Sequence, residues 1–225
     1  MASKAARAVF LGGPGAGKGT QAKNLAQAGG YLHISTGDML RKHVTDGTSL
    51  GTQAKGFMDQ GKLVPDELIV AMVQDRIGKP DASGGWILDG FPRTLPQAQA
   101  LDRMLGSGPA SALTHVVYFR IADAVLTTRL TGRRTCSQCG AIWHVAFKAT
   151  KKDGTCDQCG GKLTQRADDK PEAIAKRLQE FHAVTAEPLR SHYARQNILR
   201  ENILREIDAD RAPEVIYQEL VKLMQ

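Results

Sequence analysis

A chain of 225 residues, 42% hydrophobic and 24% charged, is long enough to bury a sizeable core and has the balance of an ordinary soluble globular protein. No apolar run reaches membrane-spanning length, and a formal net charge of +7 points to nucleic acid, anionic lipid or phosphorylated small molecules without separating them. The start, MASKAARAVFLGG, carries no long apolar stretch before its glycines. A cleaved leader is therefore not expected, and the expected compartment is the cytoplasm, where paired cysteines hold metal more often than they form disulfides.

In chain order, Arg7–Leu11 reads as a short buried strand, followed by glycines and a helix over Lys18–Ala28. A second strand is expected at Tyr31–Ser35, then helical patterns over Asp38–His43, Leu50–Gln60 and Pro65–Ile77. Trp86–Asp89 is an apolar run ending in a carboxylate, bounded by Gly85 and Gly90. A helix over Leu95–Leu105, a strand over His115–Arg120 and a helix over Asp123–Leu130 come next. After a cysteine-bearing stretch follow a long helix from Pro171 to about Val184, another over Pro188–Gln196, a strand at Leu204–Ile207 and a last helix over Pro213–Leu223. Apolar strands alternating with helices predict an α/β fold: a parallel sheet of five strands, doubly wound, with helices on both faces. Residues 36–64 lack a strand, and residues 132–169 are polar and rich in glycine and cysteine, so both read as excursions from the core. The seven residues before the first strand read as a frayed terminus.

Gly12-Gly13-Pro14-Gly15-Ala16-Gly17-Lys18-Gly19-Thr20 fits G-x-x-x-x-G-K between a strand and a helix, the context a phosphate-binding loop needs. Glycines let backbone N–H groups close on phosphate oxygens, the helix N-terminus adds its dipole, and Lys18 reaches the transferable phosphate. The general pattern has Ser or Thr directly after the lysine; here Gly19 intervenes before Thr20. Asp89, at the C-terminal end of a buried strand, is the carboxylate expected to compensate by holding Mg²⁺ directly or through water.

Three further stretches follow the loop in order: Ser35-Thr36-Gly37-Asp38-Met39-Leu40-Arg41, then Asp89-Gly90-Phe91-Pro92-Arg93-Thr94, then Gly132-Arg133-Arg134 with Gln165-Arg166-Ala167-Asp168-Asp169. With these motifs the chain resembles the adenylate kinases from about residue 7 to the C-terminus, most closely the long bacterial form with a zinc-bearing lid. The resemblance implies reversible phosphoryl transfer from Mg-ATP to AMP, giving two ADP. It implies that Gly15, Ala16, Gly17, Lys18, Gly19 and Thr20 bind ATP phosphates, with Arg129, Arg133, Ile142, Trp143 and Arg211 around the ATP side. It implies AMP contacts from Thr36, Arg41, Lys62, Leu63, Val64, Gly90, Phe91, Pro92, Arg93 and Gln97, with Gln97 facing the adenine and Arg166 and Arg177 reaching phosphates across the cleft. Lys18, Asp89, Arg93, Arg133, Arg166 and Arg177 are the expected catalytic set. Trp143 stands where the family usually has tyrosine, and Asp208-Ala209-Asp210-Arg211 departs from its usual glycine-containing turn. Residues 1–34, 65–131 and 170–225 are the expected core, 35–64 an AMP-binding insertion and 132–169 a lid.

The chemistry fits the residues independently. Phosphoryl transfer asks mainly for positioning and for positive charge around the equatorial oxygens, which lysine and the planar arginine fork supply. A monophosphate acceptor is already anionic near neutral pH, its second pKa being about 6, so no general base is needed. No Ser-His-Asp or Cys-His arrangement is present, and the six histidines are scattered.

Cys136-x-x-Cys139 and Cys156-x-x-Cys159, sixteen residues apart, fit the four-cysteine zinc pattern. Redox thiols, a nucleic-acid-binding ribbon and a structural staple are the three readings of such a pair. A redox motif is a single Cys-x-x-Cys near a strand–helix junction, unlike this one. Lys148, Lys151 and Lys152 keep the nucleic-acid reading in play, whereas Arg133 and Arg166, implied to touch nucleotide, bracket the segment. A staple for a subdomain with little apolar surface is the expectation, with Gly140 and Gly160 permitting the knuckle turns. Expected partners are ATP, AMP and ADP, with no nucleic acid or membrane, and the expected state is a monomer. The alternatives are a kinase for another nucleoside monophosphate and a nucleotide-switched nucleic-acid-binding protein.

Overall fold

The computed structural model of the chain describes residues 6–106, 112–196 and 203–224; the expected frayed terminus falls largely on residues 1–5, outside these. Five parallel strands, β1 (Arg7–Gly12), β2 (Leu32–Ser35), β3 (Trp86–Asp89), β4 (His115–Arg120) and β8 (Leu204–Asp208), pair in the order β2-β3-β1-β4-β8. Parallel strands are buried on both faces, and β1 shows how one short segment serves both. Val9 and Leu11 join one core cluster, with Leu88, Leu101 and Tyr193. Ala8 and Phe10 join the other, with Val117, Leu126 and Leu220. Phe10 also meets Phe119 of β4, ring centroids 5.1 Å apart.

Helices α1 (Lys18–Gly29), α4 (Asp66–Ile77), α5 (Leu95–Leu105), α6 (Asp123–Thr131), α7 (Pro171–Glu180), α8 (Glu187–Gln196) and α9 (Pro213–Leu223) cover the two faces. The expected long helix from Pro171 and the helix after it are continuous: a π-helical turn over Phe181–Ala186 joins α7 to α8. Pro188, which has no N–H to give to the helix ladder, comes just after that π-helical turn.

The two excursions differ in kind. Residues 36–59 form α2 (Thr36–Thr45) and α3 (Ser49–Asp59), each started by a side-chain cap: Ser35 Oγ accepts from the Asp38 amide at 3.3 Å and Thr48 Oγ1 from the Gly51 amide at 3.1 Å. Residues 133–164 hold three short strands that the residue pattern did not reveal: β5 (Arg133–Cys136), β6 (Ile142–His144) and β7 (Leu163–Thr164), antiparallel in the order β6-β5-β7. They are too short to display an alternation that a sequence reading could use. Among the described residues no helix is long and apolar enough to cross a membrane.

Candidate active site

Strand order places the site. β1 lies between β3 and β4, and the β1–β3 register sets Phe10 opposite Asp89, while the β2–β3 register sets Ser35 opposite Asp89. The phosphate-loop residues, the Ser35–Thr36 junction and Asp89 therefore emerge together at the C-terminal ends of adjacent strands, where ligands of open parallel sheets bind. They open onto a cleft of about 770 Å³.

Gly15 to Thr20, Thr36, Arg41, Lys62, Leu63, Val64, Asp89, Gly90, Pro92, Arg93, Gln97, Arg129, Arg133, Ile142, Trp143, Arg166, Arg177 and Arg211 all line that cleft. Phe91 does not. Its side chain is fully buried in the core next to the cis peptide that precedes Pro92, so only its backbone belongs to the Asp89–Arg93 turn. Trp143 turns most of its ring into the lid, packing with Cys136 and Cys156, and Lys148 Nζ stands 4.8 Å from the ring centroid.

The unusual glycine after the lysine has a steric cause. A Cβ on Gly19 would lie 2.8 Å from Asp89 Oδ2, so a serine or threonine there would displace the carboxylate. Lys18 Nζ donates to the Gly12 and Gly13 carbonyls at 2.7 and 2.8 Å. Burial pushes this ammonium down to about 8; Asp89 pulls it up, and Arg93, Arg177 and Arg133 add to the lowering. Burial also works against the Asp89 carboxylate, yet His33, with Nε2 3.7 Å from Oδ2, and Lys18 hold it below the usual carboxylate range.

Cations dominate the cleft. Burial pushes Arg177 down to about 10 and Arg166 to about 10, Arg133 contributing in both cases, and burial lowers Arg93 too. Crowding buried cations this closely is costly unless anions sit between them. In the protein itself Asp168 and Asp169 do part of that work. Asp169, fully buried, takes Arg133 Nε and Nη2 at 2.8 and 2.5 Å and Arg177 Nη1 at 3.2 Å, and Asp168 Oδ2 lies 2.9 Å from Arg177 Nη1. Neither aspartate was singled out in the sequence as a site residue, although both stand beside Arg166 in the Gln165–Asp169 motif. Arg166 Nε donates to Thr135 Oγ1 at 3.0 Å. The β5–β7 pairing, with Thr135 opposite Thr164 and Cys136 opposite Leu163, ends two residues before Arg166 and so leaves it near the start of β5.

Toward the other end of the cleft, Thr36 Oγ1 donates to the Gly90 carbonyl at 2.9 Å and Arg93 Nε to the same oxygen at 2.8 Å. Arg41 is paired with Asp38 at 2.6 Å. Arg129 Nη1 donates to the Ala209 carbonyl at 3.0 Å, and Arg211, bonded to Asp208 O at 3.0 Å and paired with Glu219, flanks it.

The family model for adenylate kinase matches residues 10–198. The chain belongs to the adenylate kinase family. It is 45% identical to the adenylate kinase of Carboxydothermus hydrogenoformans over 217 residues, covering 96% of this chain and 98% of the relative. It is 52% identical to that of Salinispora tropica over 193 residues, 86% and 88% of the two chains. The adenylate kinase of Thermodesulfovibrio yellowstonii is 50% identical over 194 residues.

In this adenylate kinase family member the four cysteines meet at one end of the small sheet. Cys136 Sγ lies 3.4 Å from Cys159 Sγ and Cys139 Sγ 3.7 Å from Cys156 Sγ, and all four sulfurs lie within 4.8 Å of one another. A tetrahedron of sulfurs about 2.3 Å from a zinc ion has edges of about 3.8 Å, so the donor set fits that metal. The backbone N–H groups of Cys139 and Gln138 hold the Cys136 thiol below its usual range. Gly140 and Gly160, with φ of 69° and 75°, make the knuckle turns expected of them.

Proposed function

We propose that this cleft transfers the terminal phosphoryl group of Mg-ATP reversibly to AMP, giving two ADP. Membership of the adenylate kinase family supports the reaction. The observation that carries the residue roles is the convergence of Lys18, Arg93, Arg133, Arg166 and Arg177 on one largely buried cleft with too few carboxylates to balance them.

In this reading the Gly15–Thr20 backbone and Lys18 cradle the ATP phosphates. Arg133, Arg166 and Arg177 surround the phosphoryl group in transit, where their charge grows in value as water is excluded. Arg129, Ile142, Trp143 and Arg211 form the ATP side. On the acceptor side, Arg41 and Arg93 hold the AMP phosphate, while Thr36, Lys62–Val64, the Gly90–Pro92 backbone and Gln97 enclose its nucleoside. Mg²⁺ arrives with ATP and neutralises charge on its phosphates, and Asp89, ionised and level with the loop, is the residue to hold it or its waters. The acceptor oxygen needs no base, and no histidine is asked to move a proton.

Residues 35–64 and 132–169 are proposed as parts that close over the two nucleotides, with a structural Zn²⁺ in the second. Both nucleotide sites lie within one chain, which suits a monomer. Many of the cationic side chains face the cleft, which suits small nucleotides better than nucleic acid or a membrane surface.

A coupled assay with Mg-ATP and AMP, GMP, UMP or CMP tests the proposal. AMP is expected to be phosphorylated at least tenfold faster than the others at equal subsaturating concentration. A preference for another monophosphate would overturn the acceptor assignment while leaving the phosphate loop in place.

A further inference from the structure

The acceptor end of the cleft contains a buried amide whose orientation is set from both sides. Gln97 is 2% exposed and lines the cleft, in the first turn of α5. Its Oε1 accepts the Arg93 backbone N–H at 2.7 Å, and its Nε2 donates to Asp66 Oδ1 at 2.7 Å. The second oxygen of Asp66 accepts from Thr94 Oγ1 at 2.7 Å, so the carboxylate is itself held in place. A backbone N–H can only donate and a carboxylate can only accept. Turning the Gln97 amide over would set donor against donor and acceptor against acceptor at once.

We infer that Asp66 is a specificity-positioning residue, locking the Gln97 amide so that the acceptor site reads a 6-aminopurine and rejects a 6-oxopurine. This rests on the proposed placement of the acceptor base against Gln97. After its two protein bonds, Gln97 keeps one N–H and one oxygen lone pair for a ligand. Adenine presents a 6-amino donor beside the N1 acceptor. Guanine and hypoxanthine present a 6-oxo acceptor beside an N1–H donor, the same two positions with roles exchanged. A freely turning amide would serve either pattern, whereas a locked one serves a single pattern and leaves the wrong base with two opposed pairs in a dry site. Asp66 lies just beyond the Lys62–Val64 stretch and reaches the start of α5, so it also sets the distance between those two walls.

The test compares AMP with IMP, which reverses the edge without adding guanine's 2-amino group. The ratio of their kcat/KM values cancels the folded fraction of each preparation, so a merely structural loss leaves it unmoved. Asp66→Ala should lower the AMP-to-IMP ratio about tenfold, the Arg93 amide alone remaining to orient Gln97. That change should fall mainly on KM. Asp66→Asn, whose amide can turn either an oxygen or an N–H toward Gln97, should lower the ratio in the same direction. Asp66→Ser, whose hydroxyl suits either orientation, gives the same reading as alanine should the alanine variant not fold. If Gln97→Leu collapses the ratio but Asp66→Ala and Asp66→Ser leave it unchanged, the lock is wrong and the acceptor assignment stands. If Gln97→Leu also leaves the ratio unchanged, the base does not face Gln97, and the assignment fails together with the lock.

Discussion

Lys18 shows how one residue's surroundings decide its chemistry. A lysine sealed beneath a glycine loop loses hydration for its charge, and three nearby guanidinium groups oppose that charge further, so its ammonium titrates near 8. Phosphate oxygens placed against it favour the charged form and move the titration upward. The value of kcat/KM for ATP follows the free enzyme and kcat follows the complex. Activity per encounter should therefore fall as pH rises through about 8, with the alkaline limb of kcat displaced to higher pH. In Lys18→Arg the limb should vanish from that range, because a guanidinium stays charged there. pH–rate profiles of both proteins check this, and an unchanged limb in the arginine variant would place the titrating group elsewhere. Gly19 teaches the complementary lesson, that a residue can matter for the space it leaves beside Asp89.

Among the elements, the three-stranded lid sheet has the least to hold it. Its apolar core is Cys136, Trp143 and Cys156, with Ala141 and Leu163 packed alongside. So few side chains cannot offset the entropy of ordering more than thirty residues, each costing about 1–2 kcal/mol in backbone freedom alone. Metal binding is the available compensation, since in such ribbons the binding energy is folding energy. Elemental analysis should find close to one zinc per chain, and Cys156→Ser should lose most of it. The variant's lid should unfold at a lower temperature than the parallel sheet, giving calorimetry a separate transition. Activity at moderate temperature should persist in part, because no cysteine is asked to touch a reacting atom. Complete inactivity in a variant whose lid stays folded would give the metal a part in the chemistry. Arg133 and Arg166 depend on this sheet for their placement, so loss of the lid is expected to reach the phosphate side first.

At the scale of the whole molecule, the net charge of +7 and the basic cleft bear on what the protein captures. A cleft lined by cations focuses the field on small anions and raises their encounter rate in a salt-sensitive way. Nucleic acid would instead need an extended face, and its binding would show a steep linear fall of log affinity with log salt. Binding to single- or double-stranded oligonucleotides is expected to be weak, lost by physiological salt and indifferent to ATP, as fluorescence anisotropy across a salt series would report. Tight binding that ATP modulates would revive the nucleic-acid reading of the ribbon and its Lys148, Lys151 and Lys152.

What could be read from the residues alone was whatever depends on short-range pattern. Strands such as Val9–Leu11 and Val116–Phe119 announce themselves because both their faces are apolar, and the phosphate loop because its glycines and lysine work through neighbouring backbone. The four cysteines were legible for the same reason, their spacing being the geometry of a metal shell. The strand order, the lid strands, the continuity of the helix through Phe181–Ala186, and the Asp169 carboxylate between Arg133 and Arg177 were settled only by the tertiary structure. Each depends on partners far apart in the chain, and a single sequence carries no register between them. Asp66 belongs with these: on its own it reads as an ordinary first-turn acid of a helix, and only the packing of α4 against α5 turns it toward Gln97.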